Sequence, residues 1–558
     1  MEQRRYYTIE LPRDLIGGEA ARQIDVILKR KNRSPSDTKH NWRDIEVIGE
    51  LKASEHSVKC PLVQLARYAR DVFAYQPTRR YLHGFTISGS TMTVWIFDRS
   101  GCYSPATFDI HKEPELFIRV IAGYTMMNEE ELGLDTFMRI DRDRHFIRVE
   151  HEEDEVELQL EPTPLTRQRA IVCRGTACYL AKFSDSDEWS HVAKFSWTSG
   201  QRKSEADFLE RANQRGVEGI SKLVGYRTIT SISEMRSGLT FAEPYTFRSA
   251  PSNPLSPVSQ PQGSGLSSDR SRPLSSLDSL TFAGSSERLR KRKSGGVGSK
   301  SKRSRSNRQR SGQWHSEVTY DVESERGTSL YETNDGSYDN RIFRCLVIFP
   351  AGRPIHQYQS LLELLEALRD AIKAHQSLYS KGKILHRDIS ENNIIITDRH
   401  KTGHSGMLID LDLAKELGSA PSGARCRTGT LEFMAIEVLV NRDHSYRHDL
   451  ESFLYVLLWQ CGRRGWEFVN RVNERPRKPE SVFTEWYCGP FQRIARSKRG
   501  QMDLKGFDDV LFEFPREFER VKPLQEIPVD PFPSKRWCDI HWDAKGPQHF
   551  VWADSRGF

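Results

Sequence analysis

In "KGKILHRDISENNIIITD", residues 381–398, His386, Arg387 and Asp388 precede Asn393 within one polar loop flanked by apolar runs. A carboxylate and an amide at that spacing can orient a hydroxyl group and ligate a divalent cation. A second carboxylate, Asp410 in "LIDLDLA", follows on the next apolar segment. The set suits phosphoryl transfer, in which a protein positions a nucleotide, holds a metal and accepts a hydroxyl proton. Loops of this composition also serve as plain caps and solvated turns, so the elements around them decide.

Those elements can be read from periodicity. "SLLELLEALRDAIKAHQSLYSKG" repeats apolar residues at helical spacing, and Gly382 is suited to stop the helix. "NIIIT" reads as a short buried strand and "HSGMLIDLDLA" as a second strand ending in Asp410, which puts two carboxylates at adjacent strand ends. Downstream, "RTGTLEFMAIEVL" carries Thr430 and Glu437, and "HDLESFLYVLLW" starts a buried helix at Asp449. Upstream, "SHVAKFSW" alternates as a strand around Lys194, and "GQRKSEADFLERANQRG" is a helix offering Glu205 and Glu210. "CRGTACYLA" holds Gly175 where a phosphate-cradling loop would stand, and Lys182, just beyond it, is a rival to Lys194. "FRCLVIFPAGRPI", residues 343–355, is a hydrophobic strand running into Pro350 and Gly352.

Taken in order, these segments resemble the eukaryotic protein kinase pattern. The resemblance implies Asp388 as the catalytic base, Asn393 and Asp410 as metal ligands, and Lys194 as the phosphate-pairing lysine with Glu205 as its partner. It further implies Gly175 on the loop over the nucleotide, Thr430 bracing Asp388, Glu437 closing the activation segment, and residues 343–355 as the adenine-binding hinge. Three departures stand out. Ser390 occupies the place of a usual lysine, Asp410-Leu411-Asp412 replaces Asp-Phe-Gly, and Ala435-Ile436-Glu437 replaces Ala-Pro-Glu. With "AKFSW" and "HDLES", this variant resembles the fungal-type protein kinase family. Membership implies an α+β, bilobal protein-kinase-like fold and an ATP-dependent serine/threonine protein kinase using Mg2+, with ATP and a protein substrate as partners. A pseudokinase or scaffold, supported by the single glycine and Ser390, and a small-molecule kinase remain open.

The first 150 residues read as a separate small α/β domain. "RQIDVILKRK" and "WRDIEVIGELKAS" are β-like, "CPLVQLARYARDVFAY" is helical, and "YLHGFTISG" with "MTVWIFDRSG" forms a hairpin turning near Gly89. Asp25, Glu50 and Lys52 there resemble the signature of restriction-endonuclease-like folds, which implies a metal-dependent nuclease or DNA-binding function; solvated charges are the plain alternative. A charged linker, expected to include one or two edge strands before Pro162 and Pro164, marks the boundary and leads to a kinase-like domain over residues 160–535, with a tail at 536–558 whose Trp537, Trp542 and Trp552 suit anchoring.

Residues 248–336 interrupt that domain with Ser, Pro, Gly and Arg and too few apolar side chains to offset the entropy of ordering, so a disordered insertion within the small lobe is expected. Its basic clusters at 288–310 suit a nuclear-import receptor, with non-specific nucleic-acid contact the less favoured reading. Ser419, Ser422 and Thr428 are candidates for self-phosphorylation. The chain has 558 residues, enough for two or three domains, and its net charge of +7 resides largely in the insertion. Nine cysteines without paired spacing point to free thiols and a reducing compartment. No apolar stretch approaches about 18 residues and the N-terminus lacks a signal core, so the expected location is the nucleus or cytoplasm, without a membrane.

Overall fold

The computed structural model describes residues 4–8, 15–16, 24–30, 40–54, 60–151, 154–240, 338–419, 429–472, 481–515 and 518. The basic insertion, Ser422, Thr428 and the three tail tryptophans lie outside them.

The first sheet contains β1 (Arg4–Thr8), β2 (Val26–Arg30), β3 (Ile45–Lys52), β4 (Tyr81–Ser88), β5 (Thr91–Asp98), β6 (Gly101–Tyr103) and β7 (Phe108–Asp109). They pair in the order β1-β2-β3-β4-β5-β6, with β7 also on β5. Only β3 and β4 run parallel, because the helix α1 (Pro61–Tyr75) crosses between them. Its apolar face, with Leu65, Val72 and Phe73, packs on Ile27, Ile48 and Trp95. A second helix, α2 (Pro114–Met126), lines the other face with Tyr124. The Gly89 turn joins β4 to β5 as the sequence suggests, in the left-handed region at φ +59°.

The second sheet contains β8 (Arg139–Asp141), β9 (Arg144–His151), β10 (Asp154–Leu160), β11 (Ala177–Phe183), β12 (His191–Ser199), β13 (Lys222–Ser231) and β14 (Arg341–Phe349). The order is β8-β9-β10-β11-β12-β14-β13, antiparallel throughout, and a further β9–β13 contact at Glu150 and Tyr226 curls it back on itself. The boundary drawn at residues 150–160 therefore falls inside this sheet. β10 pairs with β11 through Leu158–Phe183, and Ile147, Val149, Leu158 and Leu160 share one core with Phe195, Trp197 and Phe343. The edge strands expected in the charged linker are β9 and β10, and they belong to the lobe that carries Lys194.

The third part is helical. Its main elements are α3 (Glu205–Gln214), which leans on the second sheet, α4 (Leu361–Ser380), α5 (Tyr446–Val472), α6 (Phe491–Gln501) and α7 (Leu504–Phe512). Ser204 and Asp207 form a reciprocal capping box that fixes the start of α3 at Glu205, and Ser360 caps α4. Leu364, Leu368, Ala371 and Leu378 on α4 share a continuous core with Phe453, Val456, Trp459, Phe483 and Trp486. The antiparallel pair Ile394–Ile396 and Gly406–Leu408 lies on α4; the second strand ends two residues short of Asp410, which takes φ +66°. Gly406 permits this contact, since a Cβ there would come within 2.2 Å of the Ala367 carbonyl.

Candidate active site

Strand, helix and loop deliver their charges to one cleft. Lys194 projects from β12 and its ammonium reaches Glu205 Oε2 at 2.6 Å, Asp410 Oδ1 at 2.9 Å and Asp412 Oδ2 at 3.0 Å. Glu205 also accepts the Leu411 N–H at 3.0 Å, which ties α3 to the segment carrying both aspartates. Glu210 faces solvent, and Lys182 instead lies 3.9 Å from Asp187 and over Trp189.

Asp388 sits at the tip of the loop after α4. Thr430 donates to its Oδ1 through both its N–H, at 3.0 Å, and its hydroxyl, at 3.1 Å. Asn393 donates its amide N–H to the Asp388 carbonyl at 2.8 Å, which leaves the amide oxygen to accept or to ligate. The Asp388 N–H bonds His386 Nδ1 at 3.3 Å while Nε2 faces the Ile409 carbonyl at 3.2 Å, a pattern that assigns a neutral imidazole with its proton on Nε2. Arg387 and Asp410 both adopt left-handed backbone, at φ +69° and +66°, a costly conformation for such side chains that clusters at functional sites.

The electrostatics follow from burial among charges of both signs. Desolvation opposes the charge on Lys194, but Asp410, Asp412 and Glu205 outweigh it and hold the ammonium protonated well above the ordinary range. Burial alone would raise Asp410; Lys194 and Arg174 reverse this and keep it ionised. Asp388 moves the other way, raised by burial and then by Asp410. Glu205, buried and sharing its lysine with two aspartates, is pushed up to about 7.

The surroundings anchor this geometry. Asp449 at the start of α5 accepts the Arg387 N–H at 3.1 Å and faces His375 Nε2 at 2.9 Å and His444 Nε2 at 2.8 Å. Glu437 contacts His448 at 3.0 Å. Lys498 on α6 is fully buried; its ammonium donates to the Leu431, Glu432 and Met434 carbonyls at 3.2, 2.7 and 2.8 Å and lies over Tyr455. It thereby holds the segment after Thr430. Glu416 gathers Lys203 at 3.0 Å, Arg215 at 3.3 Å and Arg211, linking α3 to the segment after the aspartates. Ser390 is buried.

The cleft thus brings together Lys194, Glu205, Asp388, Asn393, Asp410 and Thr430. The structure adds two residues that the sequence reading left without a role, Asp412 and Arg174, whose Nη1 lies 3.2 Å from Asp412 Oδ2. Asp412 had signalled itself as an acid in the place of a glycine. Gly175 adjoins Arg174 in left-handed backbone at φ +55°, and a Cβ there would meet the guanidinium of Arg99.

Carboxylate oxygens of Glu205, Asp410 and Asp412 come within 4.8 Å of one another around the Lys194 ammonium. With Glu205 kept by the lysine, Asp410 and Asp412 are hard oxygen donors of the kind that suits a divalent cation such as Mg2+. In the first sheet, Asp25 precedes β2 and accepts the Leu51 N–H at 2.8 Å, while Lys52 contacts Glu50, whose carboxyl is raised by burial. Asp25, Glu50 and Lys52 are therefore neighbours, on a different sheet from Lys194.

An antiparallel sheet bearing a lysine paired to a helix glutamate, over a helical part bearing a catalytic-type loop and a metal-type aspartate, defines the protein kinase class. The family described as fungal protein kinase matches residues 23–461, most of the chain, and the chain belongs to that family. A solved structure described as that of vaccinia related kinase 3 aligns at 12% identity over 62% of this chain and 89% of that one, with a TM-score of 0.29. Among curated proteins none matches. Among the described residues no helix is long and apolar enough to cross a membrane.

Proposed function

We propose that the protein transfers the γ-phosphate of ATP to serine or threonine hydroxyls of a protein substrate, with Mg2+ as the metal. The reading rests foremost on Asp388, held by Thr430 in the same cleft as Asp410, with Lys194 and Glu205 paired above them. Asp388 accepts the hydroxyl proton, a role favoured by a carboxyl whose proton affinity is raised by burial. Asn393 and Asp410 would hold the cation, with Asp412 close enough to join them, and its chemistry when bound would be to offset charge on the phosphates. Lys194 pairs with the phosphates and Glu205 steadies it. Catalysis of this kind is positioning and electrostatics, which explains why the groups are locked by so many second contacts.

The test is magnesium-dependent transfer of radiolabelled γ-phosphate to generic protein substrates and to the chain itself. Asp388→Asn and Asp410→Asn should each abolish transfer, and phosphoamino-acid analysis should return phosphoserine or phosphothreonine. Transfer that survives in Asp388→Asn, or that goes only to a small molecule, would overturn the reading.

A further inference from the structure

Two departures from the usual kinase pattern meet each other in the cleft. The loop between β10 and β11, residues 161–176, has a single glycine and two prolines, so it lacks the run of glycines that lets a backbone close on phosphate. It offers instead a guanidinium. Arg174 extends its side chain so that Nη1 lies 3.2 Å from Asp412 Oδ2 and 3.9 Å from Asp410 Oδ2. Asp412 is the other departure, an added negative charge.

The loop is built to aim this side chain. The Arg174 carbonyl accepts the Trp197 N–H of β12 at 2.7 Å. Gly175 turns left-handed immediately after it, and a Cβ at that position would lie 2.8 Å from the Arg99 guanidinium. Arg99, from the turn after β5 of the first sheet, is fully buried; it donates to Ala170 O at 2.7 Å and Pro77 O at 3.2 Å and stacks 4.3 Å over Phe73. The first sheet therefore pins the loop on one side while Arg174 reaches the cleft on the other. Its side chain is 34% exposed, open to an incoming ligand, whereas that of Asp412 is 4% exposed.

In this arrangement Arg174 and Lys194 together neutralise Asp410 and Asp412. A divalent cation entering on those carboxylates repels the guanidinium, and the polyphosphate that arrives with it supplies a new acceptor of matching shape. We propose that Arg174 is a phosphate-binding residue, docked on Asp412 when the cleft is empty and transferred to the triphosphate when the metal nucleotide binds. The proposal rests on the kinase reading and adds the group that serves in place of a glycine-rich cradle.

The experiment compares equilibrium binding of ATP with Mg2+, and of adenosine, to the full-length wild type, Arg174→Gln and Arg174→Lys, together with Mn2+ binding without nucleotide. Arg174→Gln should lose about 10- to 100-fold in ATP affinity, the worth of one charge-assisted contact, while adenosine affinity stays unchanged. Arg174→Lys should fall between. Nucleotide-free Mn2+ should bind Arg174→Gln more tightly than wild type, because its competitor is gone. Unchanged ATP affinity in Arg174→Gln, or equal losses for ATP and adenosine, would refute the phosphate role alone. A wild type that binds neither ATP nor adenosine would remove the kinase reading and this proposal with it.

Discussion

Replacing Glu432 by glutamine should flatten the dependence of stability on pH. Glu432 follows the Asp388-bracing Thr430, is 1% exposed, and neither carboxylate oxygen has a hydrogen-bond partner among the described residues. Desolvation outweighs the nearby Lys498 and raises its carboxyl from 4.5 to about 7. Below about pH 4.5 folded and unfolded chains both carry the proton, so the neutral side chain is buried without penalty. Between 4.5 and about 7 the unfolded chain releases a proton that the folded chain keeps, and stability falls as pH rises. Above that range the loss is complete, at about 3 kcal/mol for a gap of this size. Urea unfolding of wild type and Glu432→Gln, followed by the fluorescence of the buried Trp459 and Trp486, measures it. Glutamine leaves its own amide buried, so the absolute stabilities will differ; the readout is the difference between the two curves. Wild type should lose about 2–3 kcal/mol relative to the variant from about pH 5 to about pH 8. Parallel curves would refute the reasoning and place a cation or donor against the carboxylate.

Asp449→Asn should cost about 3–5 kcal/mol in urea unfolding, because it leaves the Arg387 N–H and two buried histidines around a weakened acceptor. Asp98→Asn breaks a buried two-pronged contact with Arg236, at 2.8 Å on each prong, that joins the first sheet to the second; it should destabilise by about the same amount and speed limited proteolysis between the sheets. Glu416→Gln releases Lys203, Arg211 and Arg215, of which Lys203 and then Arg211 hold the carboxyl down to about 2. It should lower phosphate transfer severalfold with little change in melting temperature, and salt should weaken the wild type in the same direction.

The catalytic-type residues were legible because their spacing is local. His386 to Asn393 occupy one loop, and the helix before it and the strands after it show in their own periodicities. Lys194 and Glu205 were legible for a related reason: Lys194 sits in a strand pattern, Glu205 falls in the first turns of a helix near "RKSE", which resembles the family pattern, and the two lie 2.6 Å apart. The edge strands of the charged linker were legible, but the sheet they join was not. β9 and β10 carry Arg148 and Glu157 on one face, linked at 3.1 Å, and Ile147 and Leu158 on the other, and only the pairing of β10 with β11 assigns them to the lobe of Lys194.

Arg174 shows why the remainder was hidden. Little within residues 161–176 says where its side chain goes; beyond the left-handed Gly175, that depends on Trp197 from β12 and on Arg99 from a different sheet. Asp412 was visible only as a missing glycine. A poor glycine loop, with Ser390, is what kept the pseudokinase alternative open, and an acid in place of a glycine is a further departure when taken singly. In space the added acid and the added base are 3.2 Å apart, so the two departures compensate each other electrostatically and form one local design. A substitution at either position should then be judged with its partner: the double variant Arg174→Gln with Asp412→Asn should cost less ATP affinity than the sum of the two single changes, and strict additivity in that cycle would show that the pair does not act together.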